Sequence, residues 1–384
     1  MDLMIHHYIG AKQIVKEDII ELIGKKEIIS EDKFSIIKNI KEKEIAKLSF
    51  LLQSAIHIGI LLCKGELSEE LSESLNKISS KLDKKSLTPF LKTATNFAIR
   101  TVKDGSNPIP SPDISSEVGD WFSNEIDKEL NVKLKNPELP ILAIITHSEI
   151  IIALDVIGFS LNKRPYKIAL HSGSINGVIA YTISRLAGVN KTSKVVDPFC
   201  GGGTIPIEVA LYQQSISSFP FENKFAGFRI PILKSFFEKE SEEILNRQAS
   251  KKVSVFGFDN MLKIVKGAQK NAKLSGVFES ITFSKVDIEW VDAKFDQDEV
   301  DIIITNPPQI SIHTTNKKQL LKTYDDLFYQ SKYLIGKKGM LAVLLINTND
   351  AKEIAIKHNF EEVESIPIQS GGQKYSLVKF KVKQ

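Results

Sequence analysis

The sequence predicts an α/β protein whose C-terminal half is a doubly wound, mostly parallel sheet, and three observations predict it. From Lys191 onward, apolar β-branched runs alternate strictly with helical periodicities, the pattern of a parallel sheet flanked by helices. Four of those runs end in residues suited to chemistry: "VVDPFCGGGT", "FGFD", "KVD" and "VDIIITNPPQ". The last stretch, "VESIPIQSGGQKYSLVKFKV", reads as a hairpin, which gives a seven-stranded sheet an antiparallel edge.

The elements follow in order. Residues 1–85 read as mainly helical, with "EIAKLSFLLQSAIHIGILLCKG" as the strongest apolar periodicity and Cys63 on that helix. Residues 86–158 form a compact α/β unit. "TPFLKTATNFAIRTV" leads into a strand, "KDGSNPIPSPD" is a Pro-rich loop, and an amphipathic helix opens at Asp113 or Ser115. Strands then surround "THSE". Residues 159–190 are a linker with a basic centre, "NKRPYK", followed by the helix "INGVIAYTISRLAG". Residues 191–384 are the alternating domain. Its helices are "GTIPIEVALYQQ", "NMLKIVKGAQKNAKLSG", "NKKQLLKTYDDLFYQSKYLIG" and "DAKEIAIKHNF".

Composition excludes several classes. With 51 basic and 47 acidic residues the net charge is only +4, so any polyanion-binding face must be local. Two cysteines, Cys63 and Cys200, cannot build a disulfide framework or a cysteine zinc site, and they point to a reducing cytoplasmic compartment. The N-terminus "MDLMIHHYIG" lacks the pattern of a signal peptide. The longest apolar run, Leu139–Leu161, carries His147, Glu149 and Asp155 and reads as two strands rather than a membrane span. No metal-ligand spacing is present, and neither cysteine is placed as the nucleophile that methylation at pyrimidine C5 requires.

Ligands of doubly wound sheets bind at the carboxyl ends of the strands. Asp197 closes the first strand, Gly201 to Gly203 allow close approach of backbone to a ligand, and the following helix begins near Thr204. The spacing Asp-x-x-x-Gly-x-Gly disfavours a nicotinamide site. Asp259 can accept from two ribose hydroxyls and Asp287 from an adenine amine. If the ligand is an S-adenosyl sulfonium, the other reactant is a nucleophile, and "NPPQ" suits an exocyclic amine. The side-chain oxygen of Asn306 and the carbonyl of Pro307 can each accept one N–H, while Pro308 fixes the loop.

These four motifs resemble those of class I S-adenosylmethionine-dependent methyltransferases acting on amino nitrogen. With "NKRPYKIALHSGSINGVIAYTISRLAG" and the α/β unit before it, the chain over residues 86–384 resembles THUMP-domain RNA methyltransferases, in particular tRNA guanine-N2-methyltransferases of the acceptor stem. The resemblance implies a Rossmann-fold methyltransferase domain behind an α/β THUMP region, with a ferredoxin-like domain within residues 1–85. It implies S-adenosylmethionine as cofactor, held by Asp197, Phe199, Gly201, Gly203, Thr204, Asp259, Asp287 and Asn306. Catalysis falls to Asn306, Pro307, Pro308 and Gln309. A monomer would bind the acceptor stem and 3′ end of tRNA, and guanosine 6 is favoured over guanosine 10 as target. Arg100, Lys103, Lys133, Lys135, Lys163 and Arg164 are candidate RNA contacts, with Lys128 beside them; scattered surface charge is the plain alternative.

One residue departs from the family pattern. The tetrapeptide usually ends in an aromatic that stacks on the target base, and here it ends in Gln309; Phe199, His313 or Tyr324 are candidate replacements. A stacked ring is worth about 1–3 kcal/mol per base. Two other readings therefore stay open, a tRNA- or cofactor-binding paralogue without turnover and an adenine-N6 methyltransferase.

Overall fold

A computed structural model describes the chain except residues 104–106, 171–172, 220–223, 246–252, 311–315, 371 and 384. The chain divides into two compact units, each assembled from separated segments. Unit 1 comprises Met1–His7, Val15–Leu161 and Phe221–Leu245; unit 2 comprises Tyr8–Ile14, Asn162–Pro220 and Asn246–Gln384.

Unit 1 begins with β1 (Leu3–His6), α1 (Lys12–Ile23), β2 (Ile28–Ser30), β3 (Phe34–Ile37), α2 (Glu42–Leu51) and β4 (His57–Glu66). This is the β-α-β-β-α-β order of a ferredoxin-like unit, and it corrects the expectation that residues 1–85 are mainly helical. The apolar periodicity over residues 44–65 divides at Leu52–Ile56 into a helix and a strand, so Cys63 lies buried in β4 rather than on a helix. The chain continues through α3 (Leu71–Ser79), α4 (Lys84–Thr93), β5 (Asn96–Lys103), α5 (Ser111–Glu125), β6 (Asn131–Val132), β7 (Leu139–Ile145) and β8 (Glu149–Asp155). The helix expected to open at Asp113 or Ser115 begins earlier, at Ser111, because Pro110 supplies the extended entry and Pro112 tolerates the first turn. All eight strands form one sheet, ordered β2-β3-β1-β4-β8-β7-β5-β6. The apolar run around "THSE" is the antiparallel pair β7 and β8, and no described helix is long and apolar enough to cross a membrane.

Unit 2 contains α6 (Gly177–Leu186), β9 (Val195–Asp197) and α7 (Thr204–Gln214). The insertion that follows carries α8 (Pro231–Leu245), which packs with α2 and α4 in unit 1. Phe50 makes an edge contact with Phe225 at 4.9 Å and lies 5.9 Å from Phe237 on α8. Unit 2 resumes with β10 (Val255–Asp259), α9 (Leu262–Ser275), β11 (Ile281–Lys285), β12 (Ile302–Thr305), α10 (Lys317–Ile335), β13 (Met340–Leu345), α11 (Asn349–Lys357), β14 (Phe360–Ser370) and β15 (Gln373–Val382). The order β11-β10-β9-β12-β13-β15-β14 is parallel through β13, with β15 and β14 antiparallel at the edge. Alternate residues feed two cores: Val195, Ile302, Ile304 and Leu344 on one face, Val196, Ile303, Val343 and Leu345 on the other.

The segment before α6 is fixed by buried charge. Arg164 donates through Nε to Glu208 Oε1 at 2.8 Å and through a terminal nitrogen to Oε2 at 3.1 Å, and the Tyr166 hydroxyl donates to Oε1 at 2.7 Å. Both charged side chains are at most 1% exposed. Gly177, the first residue of α6, lies against this pair: a Cβ there would come within 2.5 Å of Arg164 Cγ and of Glu208 Oε1. Gly177→Ala is expected to destabilise the protein by about 1–3 kcal/mol through overpacking, read as a lower denaturant midpoint. An unchanged midpoint would show that the pair yields freely at this position.

Candidate active site

The chain runs from β9 outward through β10 to β11, then returns to start β12 and β13 on the other side of β9. Adjacent crossovers therefore part at the carboxyl ends of β9 and β12, the switch point where doubly wound sheets bind ligands. A cavity of about 770 Å³ opens there, within unit 2. It brings together Asp197, Asp259, Asp287, the Gly201–Gly202 turn and the whole of Asn306–Gln309.

Three acids at successive strand ends have three different environments. Asp197 is 1% exposed. Its Oδ1 accepts from the Thr305 hydroxyl at 2.6 Å and the Phe199 N–H at 3.1 Å, which clips the end of β9 to the end of β12. Burial outweighs both donors, and the nearby Asp259 adds to it, so the carboxyl is pushed up to about 7. Asp259 is half-buried and accepts the Met261 N–H at 2.9 Å. Asp287 is exposed at the entry to a short turn, Ile288–Trp290, which its side chain does not cap. Gly201 and Gly203 have φ of +51° and +79°, and a Cβ on Gly202 would lie 3.0 Å from the Ala169 carbonyl. The turn thus needs glycine, and it leads directly into the N-terminus of α7 at Thr204.

The tetrapeptide is held from both sides. Asn306 Nδ2 donates to the Gly173 carbonyl at 2.9 Å, which turns Oδ1 away from that segment. The Tyr324 hydroxyl donates to the Pro308 carbonyl at 3.0 Å. Gln309 Nε2 donates to Asn306 Oδ1 at 3.0 Å, and lies 2.9 Å from the Pro307 and Leu344 carbonyls. Gln309 Oε1 accepts the Ile346 N–H at 2.8 Å. Of the rings considered as replacements for the missing aromatic, Tyr324 is 1% exposed, its hydroxyl tied to the loop, so its ring serves the core and is not a stacking platform. His313 lies outside the described residues. Phe199 is half-buried and lines the cavity.

The RNA candidates separate by environment. Lys133, Lys135 and Lys163 are exposed. Arg100 is bound to Asp155 at 2.6 Å, and Lys103 donates to the Asn107 and Ile109 carbonyls at 3.2 and 2.6 Å. Lys128 donates to the Leu91 and Ala94 carbonyls at the end of α4. Arg164 corrects its assignment as an RNA contact. Its guanidinium is enclosed by Glu208 and lies over the Phe219 ring at 5.5 Å, so it is structural. Arg100 and Lys135 line a second cavity of about 500 Å³ in unit 1, together with Arg229, which the sequence did not single out.

Two residues that position the site also escaped the sequence reading. Thr305 precedes the tetrapeptide and makes the clip to Asp197. Asn271, fully buried on α9, satisfies every valence of its amide: Oδ1 accepts from the Ile168 and Ala169 N–H groups, and Nδ2 donates to the Ala169 and Gly202 carbonyls. It thereby joins the glycine turn to the segment before α6. No local pattern distinguishes it from any other helix asparagine.

A doubly wound sheet with acids on successive strand ends and an amide-Pro-Pro loop across the switch point defines a methyltransferase of the Rossmann type. Residues 164–376 match the RMKL-like methyltransferase domain, and the chain belongs to that family. Residues 72–155 match the THUMP domain. Over 380 residues, 97% of each chain, it is 29% identical to the tRNA (guanine(6)-N2)-methyltransferase of Methanocaldococcus jannaschii. Another protein of that description, from Archaeoglobus fulgidus, is 27% identical over 69% of this chain and 66% of its own length. The solved structure of SMU.472 complexed with SAH superposes with a TM-score of 0.78 at 20% identity, covering 100% of this chain and 98% of that one.

The raised Asp197 carboxyl has a measurable sign. An acid whose folded pKa lies above its unfolded value contributes stability that is complete below the ordinary 3.8 and is lost as pH rises to about 7. Asp197→Asn is expected to flatten the stability profile across that window, measured by denaturant unfolding at several pH values. An identical slope in both proteins would show that Asp197 ionises normally.

Proposed function

We propose that this protein is an S-adenosylmethionine-dependent tRNA methyltransferase that modifies the exocyclic N2 of guanosine, with guanosine 6 the target in preference to guanosine 10. One observation carries the chemistry: acceptors for a ribose and an adenine, on Asp259 and Asp287, open into the same cavity as the Asn306 and Pro307 acceptors. The substrate reading rests on the end-to-end likeness to the M. jannaschii enzyme, which spans both units rather than the methyltransferase domain alone. The exposed Lys133, Lys135 and Lys163 suit the phosphates of the RNA, which would make binding strongly salt-dependent.

The residues fit the cofactor. The glycine turn has no Cβ to keep a ligand from its backbone, and the N-terminus of α7 offers N–H donors to a carboxylate. Asp259 would take the ribose hydroxyls, Asp287 the adenine amine, and Asp197 the architecture of the turn, since its oxygen already holds Phe199 and Thr305. S-adenosylmethionine supplies a methyl group on a sulfonium, which needs an amine presented along the line of transfer. Guanine N2 is a poor nucleophile because its lone pair is delocalised into the ring. Asn306 Oδ1 and the Pro307 carbonyl accept its two N–H groups, orient the nitrogen, and offset the positive charge that develops on it. Pro308 keeps the two acceptors in one rigid turn.

Incubation with labelled cofactor and a tRNA pool, followed by nucleoside analysis, is expected to yield N2-methylguanosine. A different methylated nucleoside, or none, would overturn the reading. Asp259→Ala is expected to weaken S-adenosylmethionine binding by about 1.5–3 kcal/mol, roughly ten- to 150-fold, by loss of a charged acceptor; calorimetry on the folded variant checks it. Asn306→Ala is expected to lower the single-turnover rate about 10²- to 10³-fold, as for loss of one preorganised polar group, with little change in cofactor affinity. An equally active Asn306→Ala protein would place the catalytic loop elsewhere.

A further inference from the structure

The two acceptors assigned to the target amine already face a donor from within the chain. Gln309 Nε2 lies 3.0 Å from Asn306 Oδ1 and 2.9 Å from the Pro307 carbonyl. A carboxamide nitrogen is planar, carries two N–H groups and has a lone pair delocalised into a π system. In each of those respects it copies the exocyclic amine of a guanine. We propose that the Gln309 carboxamide is a resident placeholder for the target amine, occupying the amine subsite in the free protein and yielding it to the RNA base. This rests on the reading of Asn306 and Pro307 given above.

The geometry provides for the exchange. Nε2 has two hydrogens and three acceptors within 3.0 Å, the third being the Leu344 carbonyl at 2.9 Å. Oε1 is anchored separately, by the Ile346 N–H at 2.8 Å. The carboxamide therefore pairs with the end of β13 through both of its polar atoms, independently of the tetrapeptide. When a base amine enters, the side chain can give up Asn306 and Pro307 and remain docked on Leu344 and Ile346. While it occupies the subsite it holds both acceptors in a turn already shaped for an NH₂ group. Being an amide, it is also a poor nucleophile toward a methyl donor in the same cavity. A tyrosine or phenylalanine at this position could make none of these bonds through a carboxamide, so the departure from the family pattern exchanges a stacking surface for a competitor that must be displaced.

Two readouts separate this from a purely structural role. In single-turnover transfer from S-adenosylmethionine to a tRNA transcript carrying guanosine at position 6, Gln309→Met fills the same volume without N–H groups. Removing the competitor is expected to lower the half-saturating tRNA concentration about two- to tenfold, the worth of roughly one neutral hydrogen bond, read separately from the maximal rate; Gln309→Ala serves if the methionine variant does not fold. In the wild type labelled at glutamine side-chain nitrogen, the Gln309 NH₂ signal, assigned by its loss in Gln309→Met, is expected to be protected from solvent exchange and to lose its chemical shift when the same tRNA is added. A half-saturating concentration that is unchanged or raised in a folded variant overturns the proposal while leaving the methyltransferase reading intact. If the wild type methylates no tRNA, that reading fails instead, and the amide signal alone decides: an unprotected Gln309 NH₂ in the free protein rejects the placeholder.

Discussion

The buried pair between Arg164 and Glu208 is the constraint on which unit 2 depends. Breaking such a pair leaves an unpaired charge in the interior and typically costs about 3–5 kcal/mol, so neither partner leaves while the fold persists. Glu208 is fixed on α7, and its two oxygens take Arg164 and Tyr166 together. That fixes the chain ahead of α6, whose residues Gly173, Ser174 and Ile175 line the cavity. Everything else the segment does follows from this. Its carbonyl at Gly173 receives Asn306, its backbone at Ile168 and Ala169 receives Asn271, and Lys167 donates to the Ile175 carbonyl just before α6.

The site is then assembled by backbone groups and amides more than by charges. Asparagine and glutamine side chains, at positions 271, 306 and 309, each join two segments distant in sequence. An amide can donate and accept at once without the desolvation penalty of an ion. Of the three strand-end acids, the one taken fully out of water, Asp197, is also the one whose charge the interior resists, and its work is to hold Thr305 and Phe199. The exposed or half-buried acids, Asp259 and Asp287, are those left facing the cavity. Burial has divided three similar carboxylates between architecture and ligand reach.

How much of this was legible depended on how local each signal is. In unit 2, β9, β12 and β13 were readable because buried parallel strands leave continuous apolar runs, and each of β9 to β12 is followed by a turn or a helix with its own punctuation. Unit 1 was misread at its start. β1 and β3 have only four residues each, too few to show alternation, and the helix α2 and strand β4 share one apolar run in which only Gln53 and Ser54 mark the break. Arg164 looked like linker charge because its partner lies 44 residues away. The bonds of Gln309 were equally hidden, since they depend on the end of β13, 35 residues further on. The tetrapeptide announced that chemistry occurs here, while the occupant of its acceptors could be seen only in three dimensions.

The interleaving of the two units has a consequence for synthesis. Neither is a contiguous stretch: unit 1 closes only when α8 arrives, and unit 2 begins with Tyr8–Ile14 but ends with the hairpin of β14 and β15. On a ribosome adding about 5–20 residues per second, the early heptapeptide waits roughly 20–75 s for the rest of its own unit. The first 161 residues must meanwhile stand without the aromatic partners that Phe225 and Phe237 bring to Phe50. Unit 1 therefore has all its segments before the last segment of unit 2 is made, and no single proteolytic cut yields either unit whole.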